Sequence, residues 1–274
     1  MEKAVDWNPE QYLKFGDERT QPSIDLVSRI NLGFEPDNII DIGCGPGNSG
    51  RVLTARWPKA QFLGIDRSSK MIERASADYP HYTWRIADAS AFSSTIKYDI
   101  VFSNAAIQWM PDHEKLLVKL IELISDNGVL AIQTPAFRDM PVGKVIEEVA
   151  NKPNWRKKTG DCSEVFTFHD YGFYYNLLTS TMRSIEMWET YYLHILDTHE
   201  SIIEWIRSAG MKPYLVRLDE NGEKEEFTGE VLKEIRNRYP VQKDGKVIFP
   251  FKRLFMVGYK KAVNKILNKI QREC

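Results

Sequence analysis

The chain has 274 residues, 43% of them apolar, with 37 basic side chains against 38 acidic. That length fits one large domain, or a domain with a cap, and the composition suffices for a normal core. The balanced charge gives no support to a nucleic-acid partner, and no apolar run reaches the ~18 residues of a membrane span.

Cys44, Cys162 and Cys274 lie far apart without metal spacing, which suggests a reducing compartment. Met1 to Asn8 is charged and lacks the apolar core of a signal peptide. The expected location is cytoplasmic.

Residues 1–21 are polar with aromatics. Gln21-Pro22 then opens an expected helix to Leu32, with Ile24, Leu26, Val27 and Ile30 as its apolar positions. From 38 to 134 strands and helices alternate. Runs 38–42, 61–65, 81–86, 97–103 and 128–134 read as strands, and 48–57, 69–79 and 112–125 as helices. Asp126-Asn127-Gly128 reads as a turn before the fifth strand. Such alternation predicts a parallel, doubly wound sheet.

After Pro135 the pattern changes. Residues 141–150 read as a helix, 151–167 as a loop, 168–180 as an aromatic-rich stretch and 183–196 as a strand. Residues 198–209 and 223–239 read as helices, and 247–259 as a late strand. The expected fold is α/β: a Rossmann-like, seven-stranded, mostly parallel sheet with helices on both faces, an antiparallel edge and a helical cap. One domain would span 1–274. Its core sheet covers about 35–136 with the late strands 183–196 and 247–259, and its cap comes from 1–33 and 137–240. Lys260 to Arg272 reads as a basic amphipathic helix, either a solvated surface helix or a membrane-surface or partner element.

Asp41-Ile42-Gly43-Cys44-Gly45-Pro46-Gly47 carries the strongest chemical signal. It joins a strand to a helix, and glycines there let backbone approach a nucleotide-type ligand beside unpaired helix N–H groups. Asp66 closes the next strand, nineteen residues beyond Gly47, where a carboxylate meets ribose hydroxyls. A hydride-transfer enzyme is one reading, but its loop normally runs G-x-G-x-x-G, whereas Gly43, Gly45 and Gly47 alternate. An acid at Asp41 would repel a pyrophosphate and suits a cationic ligand. S-adenosylmethionine, with an ammonium and a sulfonium, is such a ligand. A tight turn without ligand is the remaining reading.

Asp41 to Gly47, Asp66, Asp88 and Asn104-Ala105-Ala106 together resemble the class I methyltransferases that use S-adenosylmethionine. Further motifs narrow the resemblance to the trans-aconitate methyltransferases. They are Trp7-Asn8-Pro9, Tyr12, Phe15, Glu18-Arg19, Pro22, Asn48-Ser49, Arg56-Trp57-Pro58, Gln108-Trp109, Pro111-Asp112-His113, Tyr239-Pro240 and Arg253-Leu254-Phe255. The likeness runs from about residue 6 to 259.

The resemblance implies roles. Gly43, Cys44, Gly45 and Gly47 would line the amino-acid part of the cofactor, with Asp41 beneath. Asp66 would accept the ribose hydroxyls, with Arg67 beside it. Met71 would pack on adenine, or else serve the helix core. Asp88 would accept from the adenine amino group with Ala89 donating through its backbone, or else cap a turn. Asn104 and Ala105 end the fourth strand at the reacting centre. Tyr12 and Arg19 would fold over the cofactor, although Arg19 also suits a surface ion pair.

For the acid substrate, Gln108 and Trp109 are the leading orienting candidates, with core packing as the other reading of Trp109. Arg138, Tyr192, His194 and Arg253 are the remaining ones, with Arg183 and Arg207 behind them. No catalytic triad and no metal are expected, because a carboxyl group of pKa near 4 is already ionised at pH 7.

Two places depart from the family pattern: Pro135-Ala136-Phe137-Arg138, where a Pro-Asp-Asn-like turn is usual, and Leu193, where a second tyrosine is usual. The acceptor could therefore be trans-aconitate, a lipophilic acid or a malonyl carrier protein. A cofactor-binding protein without turnover is the reading from another class. Oligomeric state is not legible.

Overall fold

The computed structural model describes residues 10, 14–219 and 221–262. Tyr12, Trp7, Cys274 and most of the basic C-terminal stretch lie outside the described residues. Seven strands form one sheet: β1 (Asn38–Ile42), β2 (Gln61–Asp66), β3 (Thr83–Ile86), β4 (Tyr98–Asn104), β5 (Ile124–Pro135), β6 (Met182–Leu196) and β7 (Val247–Lys260). Their order is β3-β2-β1-β4-β5-β7-β6. The first five pair in parallel, while β7 runs antiparallel to both β5 and β6. The chain winds outward from β1 to β3 and returns at β4. A crevice therefore opens at the carboxyl ends of β1 and β4, the usual ligand position in open parallel sheets.

The helices are α1 (Gly16–Arg29), α2 (Asn48–Arg56), α3 (Ser69–Asp78), α4 (His113–Leu123), α5 (Pro141–Ala150), α6 (Tyr171–Thr179), α7 (His199–Arg207) and α8 (Glu223–Arg238). Short turns lie between them, at Ile107–Trp109, Phe137–Asp139, Arg156–Thr159, Cys162–Val165 and Lys212–Leu215. Ser68, Asp112, Asp170 and Thr198 cap α3, α4, α6 and α7 with their side chains, the residue types that satisfy open helix N–H groups. At α2 the cap is Gly47, which has no side chain to offer. The first amides of α2 thus stay open beside the crevice.

Three apolar clusters hold these layers. Leu26, Ile30, Leu53 and Phe102 lie on one face of the sheet. Leu116, Leu120, Tyr174 and Leu178 lie on the other. The third joins α5, α7 and α8 to β7 through Val145, Trp205, Phe227 and Phe249. Aromatic-rich α6 packs with α4 rather than with this third cluster, so residues 137–240 divide between the two faces.

Three boundaries differ from expectation. First, α1 begins at Gly16 and carries Pro22 in its interior, a residue that costs ~3 kcal/mol mid-helix. The extra turn is held by tertiary contacts: Asn48 Nδ2 donates to Thr20 Oγ1 at 3.0 Å, and Arg19 is buried. Arg56 closes the other end, donating to the carbonyls of Val27 and Ile30. Second, β5 begins at Ile124, and Asp126-Asn127-Gly128 is a looped-out kink within it. Pairing jumps from Tyr98–Ile124 to Ile100–Val129, with Asn127 at φ 66°. Third, 151–167 contains two short helical turns, because Trp155 and Cys162 are buried in the third cluster.

Candidate active site

A cavity of about 960 Å³ opens over the carboxyl ends of β1, β2 and β4. Its floor is the glycine loop. Gly43 (φ 69°) and Gly45 (φ 54°) occupy the left-handed region that glycine adopts without strain. A Cβ on Gly43 would sit 2.3 Å from Ala106 Cβ, whereas one on Gly45 would meet nothing within 4 Å. Gly43 is thus needed for close packing, and Gly45 for an open surface towards the ligand. Gly47 does not line the cavity; its φ of 95° starts α2, and a Cβ there would strike Tyr79.

Asp66 lines the cavity and ties β2 to the loop, accepting from Gly45 N–H at 3.0 Å and Ser68 N–H at 2.8 Å. Burial raises its pKa against the pull of those bonds. Asp41 sits behind the loop rather than on the cavity wall. Both its carboxylate oxygens are buried without a hydrogen-bond partner among the described residues. Burial, reinforced by Asp66, raises its pKa well above the usual carboxylate range. An isolated buried carboxylate is costly, so a cation placed over this loop relieves both acids. Burial likewise pushes the Cys44 thiol up, with Asp41 adding to it, so Cys44 stays a neutral wall residue.

Along one wall lie Arg67, Met71, Asp88 and Ala89. Met71 is buried, so it serves the helix core and the cavity together. The Asp88 carboxylate accepts from the hydroxyl and N–H of Ser90 at 2.6 and 2.8 Å, chiefly the hydroxyl lowering its pKa. At the end of β4, Asn104 Oδ1 is a buried acceptor without a partner among the described residues. Ala105 next to it has φ 53°, an uncommon state for a residue with a Cβ. It is clamped there by its N–H to Gln133 O at 2.9 Å and by Gln108 Nε2 donating to its carbonyl at 2.7 Å.

The remaining wall comes from the turn after β4, from β7 and from segments 164–167 and 205–217. Trp109 packs on Phe166 with ring centres 4.6 Å apart and planes tilted by 51°. Arg253 is buried on β7, donates to Gln133 Oε1 at 3.3 Å, and has its guanidinium 4.6 Å from the Phe251 ring centre. Arg19 lines the roof and is buried rather than at the surface. Its Nη2 donates to Trp205 O at 3.0 Å and Ser208 Oγ at 2.9 Å.

Three expected substrate contacts are not brought to the cavity wall. Arg138 is exposed, lying over Phe168 and donating to Ser163 O. The Tyr192 hydroxyl donates to Asp25 of α1. His194 packs tilted behind the cavity residue Trp205, ring centres 4.4 Å apart; burial, then Arg253, lowers its pKa to about 4. Leu193 is 61% exposed on the opposite side of β6, so the departure there faces away from the site. Arg183 lies over Tyr259 and Arg207 is exposed; neither lines the cavity.

The sequence reading missed Ser49, Thr167, Trp205, Val216, Arg217 and Phe251, all on the wall. Phe251 was within reach, since a strand places residues two apart on one face with Arg253. Segment 205–217 carries no motif.

A methyltransferase-domain family model matches residues 35–198. Trans-aconitate 2-methyltransferases align over nearly the whole chain. The one from Azoarcus sp. (strain BH72) is 37% identical over 92% of this chain and 98% of its own length. That from Rhodopseudomonas palustris (strain BisB18) is 38% identical over 93% of this chain and its full length. The chain belongs to the trans-aconitate methyltransferase family. Two solved structures share the fold. The YcgJ protein from Bacillus subtilis has a TM-score of 0.56 at 15% identity, covering 89% of this chain and all of that one. The plantazolicin methyltransferase BpumL, solved with a desmethyl-plantazolicin analogue and S-adenosylhomocysteine, has a TM-score of 0.52 at 17% identity, covering 92% and 89%. The seven-stranded class I methyltransferase architecture expected above is therefore the observed one.

Proposed function

We propose that this protein uses S-adenosylmethionine to methylate a carboxylate of trans-aconitate, giving a monomethyl ester. Family membership over more than nine-tenths of the chain carries the reading, and the cavity chemistry suits it. Asp66, Asp88 and the acceptor Asn104 Oδ1 line the cavity, with Asp41 buried behind the glycine loop, and that set of acids and acceptors fits a cationic, ribose-bearing cofactor. Asp66 takes the ribose hydroxyls in charge-assisted bonds, Asn104 the ammonium, and Asp88 the adenine amino group. When bound, the cofactor supplies an electrophilic methyl group whose leaving group is a neutral thioether.

The acid belongs on the opposite wall. Arg253 meets one carboxylate in a water-poor setting, and Arg19 adds a second buried guanidinium to the same cavity, where Arg217, paired with Asp161, stands beside Glu164. A polycarboxylate needs several such partners to offset its desolvation, whereas a lipophilic acid needs one. Trp109, Trp205 and Phe251 exclude water around the reacting oxygen. The acceptor is ionised at neutral pH, so these residues need only align it and keep the site dry, effects able to supply several kcal/mol.

The test is transfer of labelled methyl from S-adenosylmethionine to trans-aconitate, cis-aconitate, citrate, isopropylmalate, a long-chain fatty acid and farnesoic acid. Saturable turnover on trans-aconitate well above the others is expected. Preference for a fatty or terpenoid acid would replace the substrate, and cofactor binding with no turnover on any acid would remove the catalytic reading.

A further inference from the structure

The turn Ile107–Trp109 carries Gln108 and Trp109 into the cavity, yet it is only one 3₁₀ turn after the strained Ala105. Something must hold it. From below, His113 is buried, with Nε2 at 2.9 Å from Ile107 O and Nδ1 at 2.8 Å from the Tyr174 hydroxyl. A carbonyl oxygen can only accept, so Nε2 carries the proton and Nδ1 accepts from Tyr174. Tyr174 is wholly buried on α6, sixty-one residues on in sequence. The His169 ring packs edge-on against His113, centres 5.3 Å apart. From the opposite side, Thr167 N–H donates to Gln108 O at 2.9 Å. The turn is thus clamped between two partners.

We propose that His113 and Tyr174 are positioning residues for methyl transfer: Tyr174 holds the His113 ring through Nδ1, and His113 Nε2–H, its tautomer set by the Ile107 carbonyl, fixes the Ile107–Trp109 turn that aligns the acceptor. The inference rests on the reading of this cavity as the acid site. Neither side chain lines the cavity, so neither is a catalytic residue. The fully buried chain excludes water, and a misplacement of about 1 Å in the aligning turn can cost up to ~100-fold in rate.

Tyr174→Phe removes one hydroxyl and leaves the packing, so it should fold. His113→Leu removes the donor, and His113→Gln replaces it with an amide that can reach Ile107 O. Wild-type turnover on trans-aconitate, measured first, tests the function; the variants, on whichever acid the wild type accepts, test the clamp. Tyr174→Phe and His113→Leu should each lower kcat/KM for the acid roughly tenfold, with cofactor Kd changed less than about twofold. His113→Gln should recover most of the loss.

A readout independent of turnover is the ¹⁵N-histidine spectrum. It should include a neutral imidazole, protonated at Nε2, that disappears in His113→Gln and whose Nδ1 resonance shifts in Tyr174→Phe as its hydrogen bond is lost. Unchanged kcat/KM in both disrupting variants, with only a lower Tm, would reduce the pair to structural filling. A wild-type His113 protonated at Nδ1 would also sink the proposal.

Discussion

Two side chains divide the cavity, and each has its own kinetic signature. Asp66 already accepts two backbone N–H groups, so its carboxylate is oriented before any ligand arrives. Asp66→Asn keeps the side-chain shape, but its single oxygen can accept only one of those two N–H groups, and it loses charge-assisted bonds worth about 1.5–3 kcal/mol; the cofactor Kd should rise roughly 10–100-fold by calorimetry. Unchanged affinity would take Asp66 out of the site. Arg253→Gln should act on the other half, raising KM for the acid about tenfold or more while KM for the cofactor moves less than about threefold. Equal shifts in both would mark Arg253 as a structural residue of β7. His194 provides a pH readout of the layer behind. Its pKa falls from 6.5 to about 4 on folding, so the folded protein holds it neutral while the unfolded chain protonates it. His194 thus makes no pH-dependent contribution above about pH 6.5 and an increasingly unfavourable one as pH falls towards 4. In urea unfolding between those values, His194→Gln should lose stability with acid less steeply than the wild type. Parallel curves would show that another group dominates.

At the scale of elements, the β1–α2 connection separates two uses of glycine that look alike in sequence. Gly43→Ala would drive a Cβ into Ala106 and force a left-handed backbone state costing about 1–2 kcal/mol. It should lower Tm and abolish cofactor binding together. Gly45→Ala carries the same backbone cost without a clash in the protein, so its Tm should fall by less while cofactor binding is still lost to the intruding methyl group. Retained binding in Gly45→Ala would move the ligand off this loop. The parallel core was legible because buried strands and amphipathic helices alternate at short range, and the acids at Asp66 and Asp88 mark strand ends. Tyr192 and His194 were misplaced although both point inward from β6: the Tyr192 hydroxyl is taken up by Asp25, and His194 packs behind Trp205. Arg138 follows β5 closely in sequence, yet the turn at Phe137–Asp139 carries it to the surface. Neither tertiary shielding nor that change of direction leaves a local trace in sequence.

Across the whole molecule, the cavity joins parts that have no sequence proximity: the strand ends of the parallel half and the 205–217 segment hung between β6 and β7. Arg19 links α1 to that segment through Trp205 O and Ser208. Ligand binding should therefore stabilise distant stretches in a fixed order. S-adenosylhomocysteine alone, at a hundred times its Kd, adds about 2.7 kcal/mol. It should slow amide exchange up to ~100-fold in 43–49, 66–71 and 88–90 wherever opening releases the ligand. Adding trans-aconitate should extend protection to 107–110, 164–167 and 205–217, where Trp109, Thr167, Trp205 and Arg217 line the wall. Hydrogen exchange followed by mass spectrometry reads all six stretches in one experiment. Protection of 205–217 by the cofactor product alone would assign that wall to the cofactor, and the acid would then have to sit elsewhere. Protection appearing only with the acid places the acceptor against the 107–110, 164–167 and 205–217 wall, on the side of the cavity that Trp109 and Trp205 line.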